Sequence, residues 1–386
     1  MKVLVLSDGM GQLDARGIEI ISEILNKLSR HGIKIILVTT LDHFRDLKLF
    51  NEWKKQQEKS GLEIEVIDLS WLTKNNRYLA LWLSKLLTSI KAIQIVVSQK
   101  PNIVHEYSSS PFLFLRTFLV SLFGNAKKVH TIITYNNKFL SQSFWAIFGN
   151  LLNKIVVPSQ GFAQSYSRFL DASKIEVMSQ GVDINRFASA KANRKLFNIS
   201  PGKKTILFLG PPEKGKGLFL LLESAPEILA KNSNSYFLFV FHRKLYEREY
   251  ERALEKIKET FSDHKKAFKV IQSLVDVPTL LKSVDIVALP QTIHHGTLIY
   301  PQTLLEAMAA RKIVVVSDTK EIREIIKDGK NGYLFENNNP KELVKAIIKA
   351  QNAPISISVQ AQKEVEEHHN LENTAKNIQE IYTQLS

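Results

Sequence analysis

The 386-residue chain has no cysteine. That absence excludes disulfides and thiolate-ligated metal, and its simplest reading is a cytoplasmic protein. A long apolar run is missing too. The longest, PFLFLRTFLVSLF (111–123), is broken by Arg116 and falls short of the roughly 20 residues a spanning helix needs. MKVLVLSDG offers only a brief apolar run before a polar turn, so no secretory signal is expected. What remains is a soluble chain, or one peripheral on the inner face of a membrane. Acids are in short supply, 38 against 52 lysines and arginines, which leaves a formal charge of +14. Such a balance suits an anionic partner: nucleic acid, a phosphorylated small molecule or an acidic membrane surface. No nucleic-acid-binding motif is present, which sets the first of these aside.

What is present is a repeated α/β rhythm. VLVLS (3–7) is a buried-type run, DGMGQ a turn, and Ile18, Ile21, Leu25 and Leu28 have helical spacing before the next run, IKIILVTT (33–40). This is the β-loop-α-β start of a parallel sheet. EIEVIDLS, NIVHEYS, KVHTIITY and KIVVPS continue it, and KTILFLG (204–210) restarts it, followed by SYFLFVFH, FKVIQS, VDIVALP and KIVVVSD. The spacing predicts two α/β domains of similar size, joined near residue 190. The first is 1–187, a linker covers 188–204, the second is 205–360, and a C-terminal helix fills 361–386. Ligands of open parallel sheets bind beyond the carboxyl ends of the strands. DGMGQ, GPPEKGKG and QTIHHGT all sit at such ends.

GPPEKGKG (210–217) matches a P-loop except at its last position, where Gly217 replaces the hydroxyl residue that ligates magnesium. The P-loop reading is therefore weak, but Lys216 between glycines at a helix start is still suited to phosphate. Downstream, HHGTLIYPQTLLEAMAARK (294–312) carries one acid, Glu306, among apolar residues near a helix start. It is either a solvated surface carboxylate or a placed ligand group.

Three stretches together resemble the retaining GT-B glycosyltransferases of the family 4 type, also known as group 1. They are NKIVVPSQGFAQSYSRF through KIEVMSQGVDINRF (153–187), TILFLGPPEKGKGLFLLLESAPEI, and LLEAMAARKIVVVSDTKEIREIIKDGKNGYLFENNNPKELVKAI (304–347). The resemblance implies two Rossmann-like domains facing a cleft, with the C-terminal one holding a nucleotide sugar and the final helix crossing back to the N-terminal domain. It implies transfer to a hydroxyl with retention, no cofactor beyond the nucleotide sugar, and no metal. The chain has no D-x-D pair. Lys216 matches the family's phosphate lysine, and Glu306 the second acid of its E-x7-E motif, which accepts hydrogen bonds from the ribose. Gly210, Gly215, His295, Gly296, Thr297, Leu298, Thr303 and Leu304 fall in the matching donor loops. Gly11 would let the backbone approach the sugar or acceptor, and His130 is the candidate catalytic histidine of the N-terminal domain.

The chain departs from the pattern at three places. Leu298 stands where the first acid belongs, Pro211 where an arginine belongs, and Ile133 where a histidine belongs, with His130 and His105 nearby. These departures keep open a second reading, a catalytically silent GT-B binding or partner subunit. The 77–93 segment sets Trp82, Leu86, Ile90 and Ile93 on one helical face, with Arg77, Lys85 and Lys91 elsewhere. FLSQSFWAIFGNLLNK (139–154) is similarly aromatic. Such faces either pack on the sheet or dock on anionic headgroups to reach a lipid-linked or polysaccharide acceptor.

Overall fold

Val3, Leu4, Val5 and Leu6 are all buried, as a strand covered by helices on both faces must be. The computed structural model describes residues 1–7, 16–41, 47–73, 77–108, 111–132, 146, 149–212, 214–241, 247–273, 275–292 and 300–386. The chain divides into two units. One comprises the described residues of 1–181 together with 371–386, and the other those of 182–294 and 300–370.

The N-terminal unit runs β1 (Lys2–Leu6), α1 (Arg16–Arg30), β2 (Lys34–Thr40), α2 (Leu47–Lys59), β3 (Leu62–Ile67), α3 (Ser70–Thr73), α4 (Arg77–Gln99), β4 (Ile103–Tyr107), α5 (Pro111–Ser121), β5 (Lys127–Thr131), β6 (Lys154–Val157), α6 (Gln160–Tyr166) and β7 (Ile175–Val177). Its sheet has the order β3-β2-β1-β4-β5-β6-β7, with every pairing parallel. Alternation along β1 divides the core. Val3 and Val5 join Ile21, Leu25 and Leu28 of α1 on one face. Leu4 and Leu6 join Ala92, Ile95 and Val96 of α4 and Val120 of α5 on the other.

The C-terminal unit runs α7 (Ile184–Ala188), β8 (Lys204–Leu209), α8 (Leu218–Lys231), β9 (Ser235–Val240), α9 (Glu247–Thr260), β10 (Phe268–Ile271), α10 (Val277–Ser283), β11 (Ile286–Leu289), α11 (Gln302–Ala309), β12 (Ile313–Ser317), α12 (Ile322–Ile325), β13 (Tyr333–Phe335), α13 (Pro340–Gln351) and α14 (Ile355–His368). Its sheet order is β10-β9-β8-β11-β12-β13, again all parallel. In both sheets the order reverses beside the first strand, between β1 and β4 and between β8 and β11. That reversal is where a doubly wound sheet opens a ligand crevice.

Three expectations change. The stretch 188–204 is folded into the C-terminal unit: Phe197 and Ile199 are buried, and Arg194 donates to the carbonyl of Lys203 and pairs with Asp285 at 3.3 Å. The C-terminal segment is two helices, α14 and α15 (Leu371–Leu385), separated at His369–Asn370, where Asn370 bridges to Val182. Only α15 belongs to the N-terminal unit; Leu371, Ile378, Ile381 and Tyr382 lie in the same core as Val3 and Val5. Finally, α4 buries its small residues, Ala80, Ser84, Thr88 and Ala92, and leaves Trp82, Leu86 and Ile90 exposed. Of its expected inward face, only Ile93 packs against the core.

Candidate active site

The crevice of the C-terminal unit is built from the loops that follow β8 and β11. After Leu209 the chain passes half-buried Gly210, makes one tight turn at Lys214–Lys216 and enters α8 through Gly217. Gly217 has φ +78, and a β-carbon there would lie 1.6 Å from the carbonyl oxygen of Pro290, just beyond β11. Glycine is therefore required on two counts: backbone conformation and lack of space. This settles the P-loop question, because no hydroxyl side chain fits at the position that would ligate magnesium. The close approach is fastened by a second contact, in which the Thr292 amide donates to the Gly215 carbonyl at 3.0 Å. Half-buried Lys216 is thus held on a loop anchored to both strands of the reversal.

Helix α11 follows the β11 loop. Tyr300 is buried, and its hydroxyl donates to Glu324 Oε2 at 3.1 Å, which fixes the approach to Pro301 and the helix start. Leu304, Leu305, Ala307, Met308 and Ala309 are core residues. Glu306 is only 7 % exposed, so the solvated-surface reading fails. A carboxylate is taken out of water only where polar groups face it. Leu304 contributes a fully buried side chain, and its amide donates to the Pro301 carbonyl at 2.8 Å; Thr303 is half-buried in the first turn. Helices α8 and α11 begin without a side-chain cap, as do α12 and α14, whereas α7, α10 and α13 are capped by Asp183, Asp276 and Asn339. Uncapped helix starts direct amide donors and the positive dipole end outward, an arrangement suited to phosphate.

Of the residues singled out from sequence, Gly210, Gly215 and Lys216 share the β8 loop, and Thr303, Leu304 and Glu306 share α11. Gly11, His295, Gly296, Thr297 and Leu298 lie outside the described residues. His130, near the carboxyl end of β5, is fully buried, with Nε2 3.2 Å from the Ser108 carbonyl. Burial, with a smaller contribution from the Arg116 charge, pushes its pKa down to about 3. Its imidazole is neutral around pH 7 and closed to solvent, the state of a core histidine.

A polar cluster in this unit escaped the sequence reading. Arg116 forms a two-pronged pair with Glu106, at 2.6 and 2.9 Å, and donates to Thr88 at 2.7 Å. On the opposite face of β4, His105 meets the Tyr382 hydroxyl of α15 at 2.5 Å and Thr131 at 2.7 Å. Burial holds the His105 pKa well below the usual imidazole range, with the neighbouring His130 adding to the effect. The available signal was the pair of charges set in apolar runs, Glu106 in NIVHEYS and Arg116 in PFLFLRTFLVSLF.

Residues 189–377 match the family described as Glycosyl transferases group 1. The chain is 24% identical over 261 residues to spore coat protein SA of Bacillus subtilis, covering 63% of this chain and 68% of that protein. It is 26% identical over 237 residues to the lipopolysaccharide 1,2-N-acetylglucosaminetransferase of Salmonella typhimurium, covering 59% of this chain and 61% of the relative. The matched stretches thus span about two thirds of these relatives' lengths. In structure the chain is similar to a glycosyltransferase from Rickettsia africae, with TM-score 0.80, 19% identity, and coverage of 100% of this chain and 98% of that one. It is also similar to Anabaena HepE in complex with UDP, with TM-score 0.77, 16% identity and 100% coverage of both chains. These likenesses identify the fold as GT-B.

Proposed function

We propose that the chain, whose residues 189–377 match the glycosyl transferases group 1 and whose fold is GT-B, is a divergent member of that family that moves a sugar from a nucleoside diphosphate sugar to a hydroxyl acceptor. On this reading transfer retains the anomeric configuration and needs no metal ion. The observation that carries the proposal is the buried carboxylate of Glu306 on an uncapped helix, at the same sheet reversal as the anchored Lys216 loop. Anabaena HepE was solved with UDP, which makes uridine diphosphate the first nucleotide to test.

Each group has a chemical task in this reading. Glu306 accepts hydrogen bonds from the ribose hydroxyls and fixes the nucleoside. Lys216, the Thr303 hydroxyl and the starts of α8 and α11 face the diphosphate. As the bond from the sugar C1 to the phosphate oxygen breaks, its electron pair stays on the diphosphate, where these donors stabilise the growing charge. The acceptor oxygen bonds to C1, and its proton passes to the departing phosphate. His130, buried and neutral, takes no proton in this scheme.

The test is calorimetry with UDP and a panel of nucleoside diphosphate sugars, paired with hydrolysis and transfer assays. Binding together with turnover supports the proposal. Binding without turnover on any acceptor would favour a silent partner subunit, the reading that Pro211 and Leu298 motivate. Absence of any nucleotide binding would sink the donor-site assignment.

A further inference from the structure

We propose that the outer face of α3 and α4, with the end of α5, docks on an anionic lipid surface. Along α4, Leu79, Trp82, Leu86 and Ile90 follow helical spacing and form one exposed ridge; Trp82 is 77% and Leu86 56% exposed. Trp71 on α3, 65% exposed, and Leu122 and Phe123 just after α5 are exposed as well. The helix had both kinds of face available and buried the small one. Large exposed apolar surface of this kind marks a place where something else binds.

Charge selects the occupant. From Leu62 to Lys128 the chain carries seven lysines and arginines besides Arg116 against three acids, Glu63, Glu65 and Asp68, besides Glu106, which is buried against Arg116, so the stretch is basic by four charges. On α4 itself Lys85 and Lys91 are half-buried, and Lys91 lies 3.1 Å from Glu65 of β3. Two copies joined through this face by a two-fold axis would set the same cations against each other. An anionic bilayer pairs with both features: ridge side chains enter the headgroup and acyl boundary while lysines extend to phosphates. Among the described residues no helix is long and apolar enough to cross a membrane, so the contact lies on the surface.

The full chain is to be sedimented with vesicles of phosphatidylcholine alone and of phosphatidylcholine with phosphatidylglycerol in equal parts. The wild type is expected to bind the anionic vesicles, with a blue shift of tryptophan emission, and to release as salt is raised. Trp82→Ser/Leu86→Ser, which alters only exposed side chains, is expected to lose at least about tenfold in partition while keeping its melting temperature. Lys85→Glu is expected to weaken binding to anionic vesicles. Failure of the wild type to bind, or unchanged binding by the double variant, overturns the proposal. So does a wild-type dimer in light scattering that the double variant splits without any lipid binding, which would give the face to a second copy. UDP affinity of the double variant is expected to be unchanged, so this outcome is separable from that of the donor site.

Discussion

Glu306 and Lys216 are proposed to act on different parts of one ligand, and substitution can separate them. Glu306→Gln keeps the volume of the buried side chain and removes its charge. It is expected to weaken UDP binding by roughly 1.5–3 kcal/mol, the range for a hydrogen bond to a charged group, while leaving inorganic pyrophosphate binding unchanged. Lys216→Ala is expected to weaken both ligands. Calorimetry with the two ligands decides, and equal losses for Glu306→Gln on UDP and pyrophosphate would remove it from the ribose. Gly217→Ala tests the loop itself. A methyl group 1.6 Å from the Pro290 oxygen, on a residue with φ +78, forces the β8 and β11 loops apart. The expected cost is about 4 kcal/mol or more, seen as a large drop in melting temperature or loss of soluble protein. A third residue-scale consequence concerns acid. Burial lowers the pKa of His130 to about 3 and that of His369 to about 4. The unfolded chain protonates both near pH 6.5, so it binds more protons than the native state below that value. Their contribution is fully present above about pH 6.5 and is lost as pH falls toward 4 and then 3. The urea midpoint is expected to decline from pH 7.5 to pH 5, and His369→Gln to flatten that decline.

At the scale of elements, α15 completes the N-terminal core from the far end of the chain. Tyr382 contributes a hydroxyl to His105, and Leu371, Ile378 and Ile381 contribute apolar area. Tyr382→Phe is expected to cost about 1–3 kcal/mol, because it leaves a buried His105 nitrogen without its partner; an unchanged denaturation midpoint would refute the role. How far such elements could be read from sequence depended on their length and surroundings. The long apolar runs at β1, β2, β8, β9 and β12 were legible, because central parallel strands bury both faces. The three-residue strands β7 and β13 were not, since each is flanked on one side only and carries no sustained apolar run. The direction in which α4 faces was equally illegible. Periodicity locates an apolar face but does not say which side meets the sheet, and here Ala80, Ser84, Thr88 and Ala92 lie inside.

At the scale of the whole molecule, the two parallel-sheet α/β units were legible from the repeated β-loop-α rhythm, and GT-B from the motif resemblance, whereas the contacts that build the candidate site were not. Lys216 and Glu306 stood out as candidates because a glycine-flanked lysine and an acid in an apolar helix are conspicuous. The Pro290 contact that makes Gly217 obligatory joins residues more than 70 positions apart in the chain, and no local pattern encodes it. The charge of the whole chain supports a final prediction. With 52 basic and 38 acidic residues, the protein presents a positive field to an incoming dianion or trianion. If Lys216 and the starts of α8 and α11 neutralise the leaving diphosphate, no divalent ion is needed for that task. Transfer is then expected to survive EDTA with its rate unchanged, while KM for the donor rises with ionic strength as the field is screened. A rate that falls at least about tenfold in EDTA and returns with magnesium would assign the neutralising charge to a metal instead. The salt series remains informative in that case: a metal-bridged diphosphate presents less net charge to the protein, so KM should vary less steeply with salt.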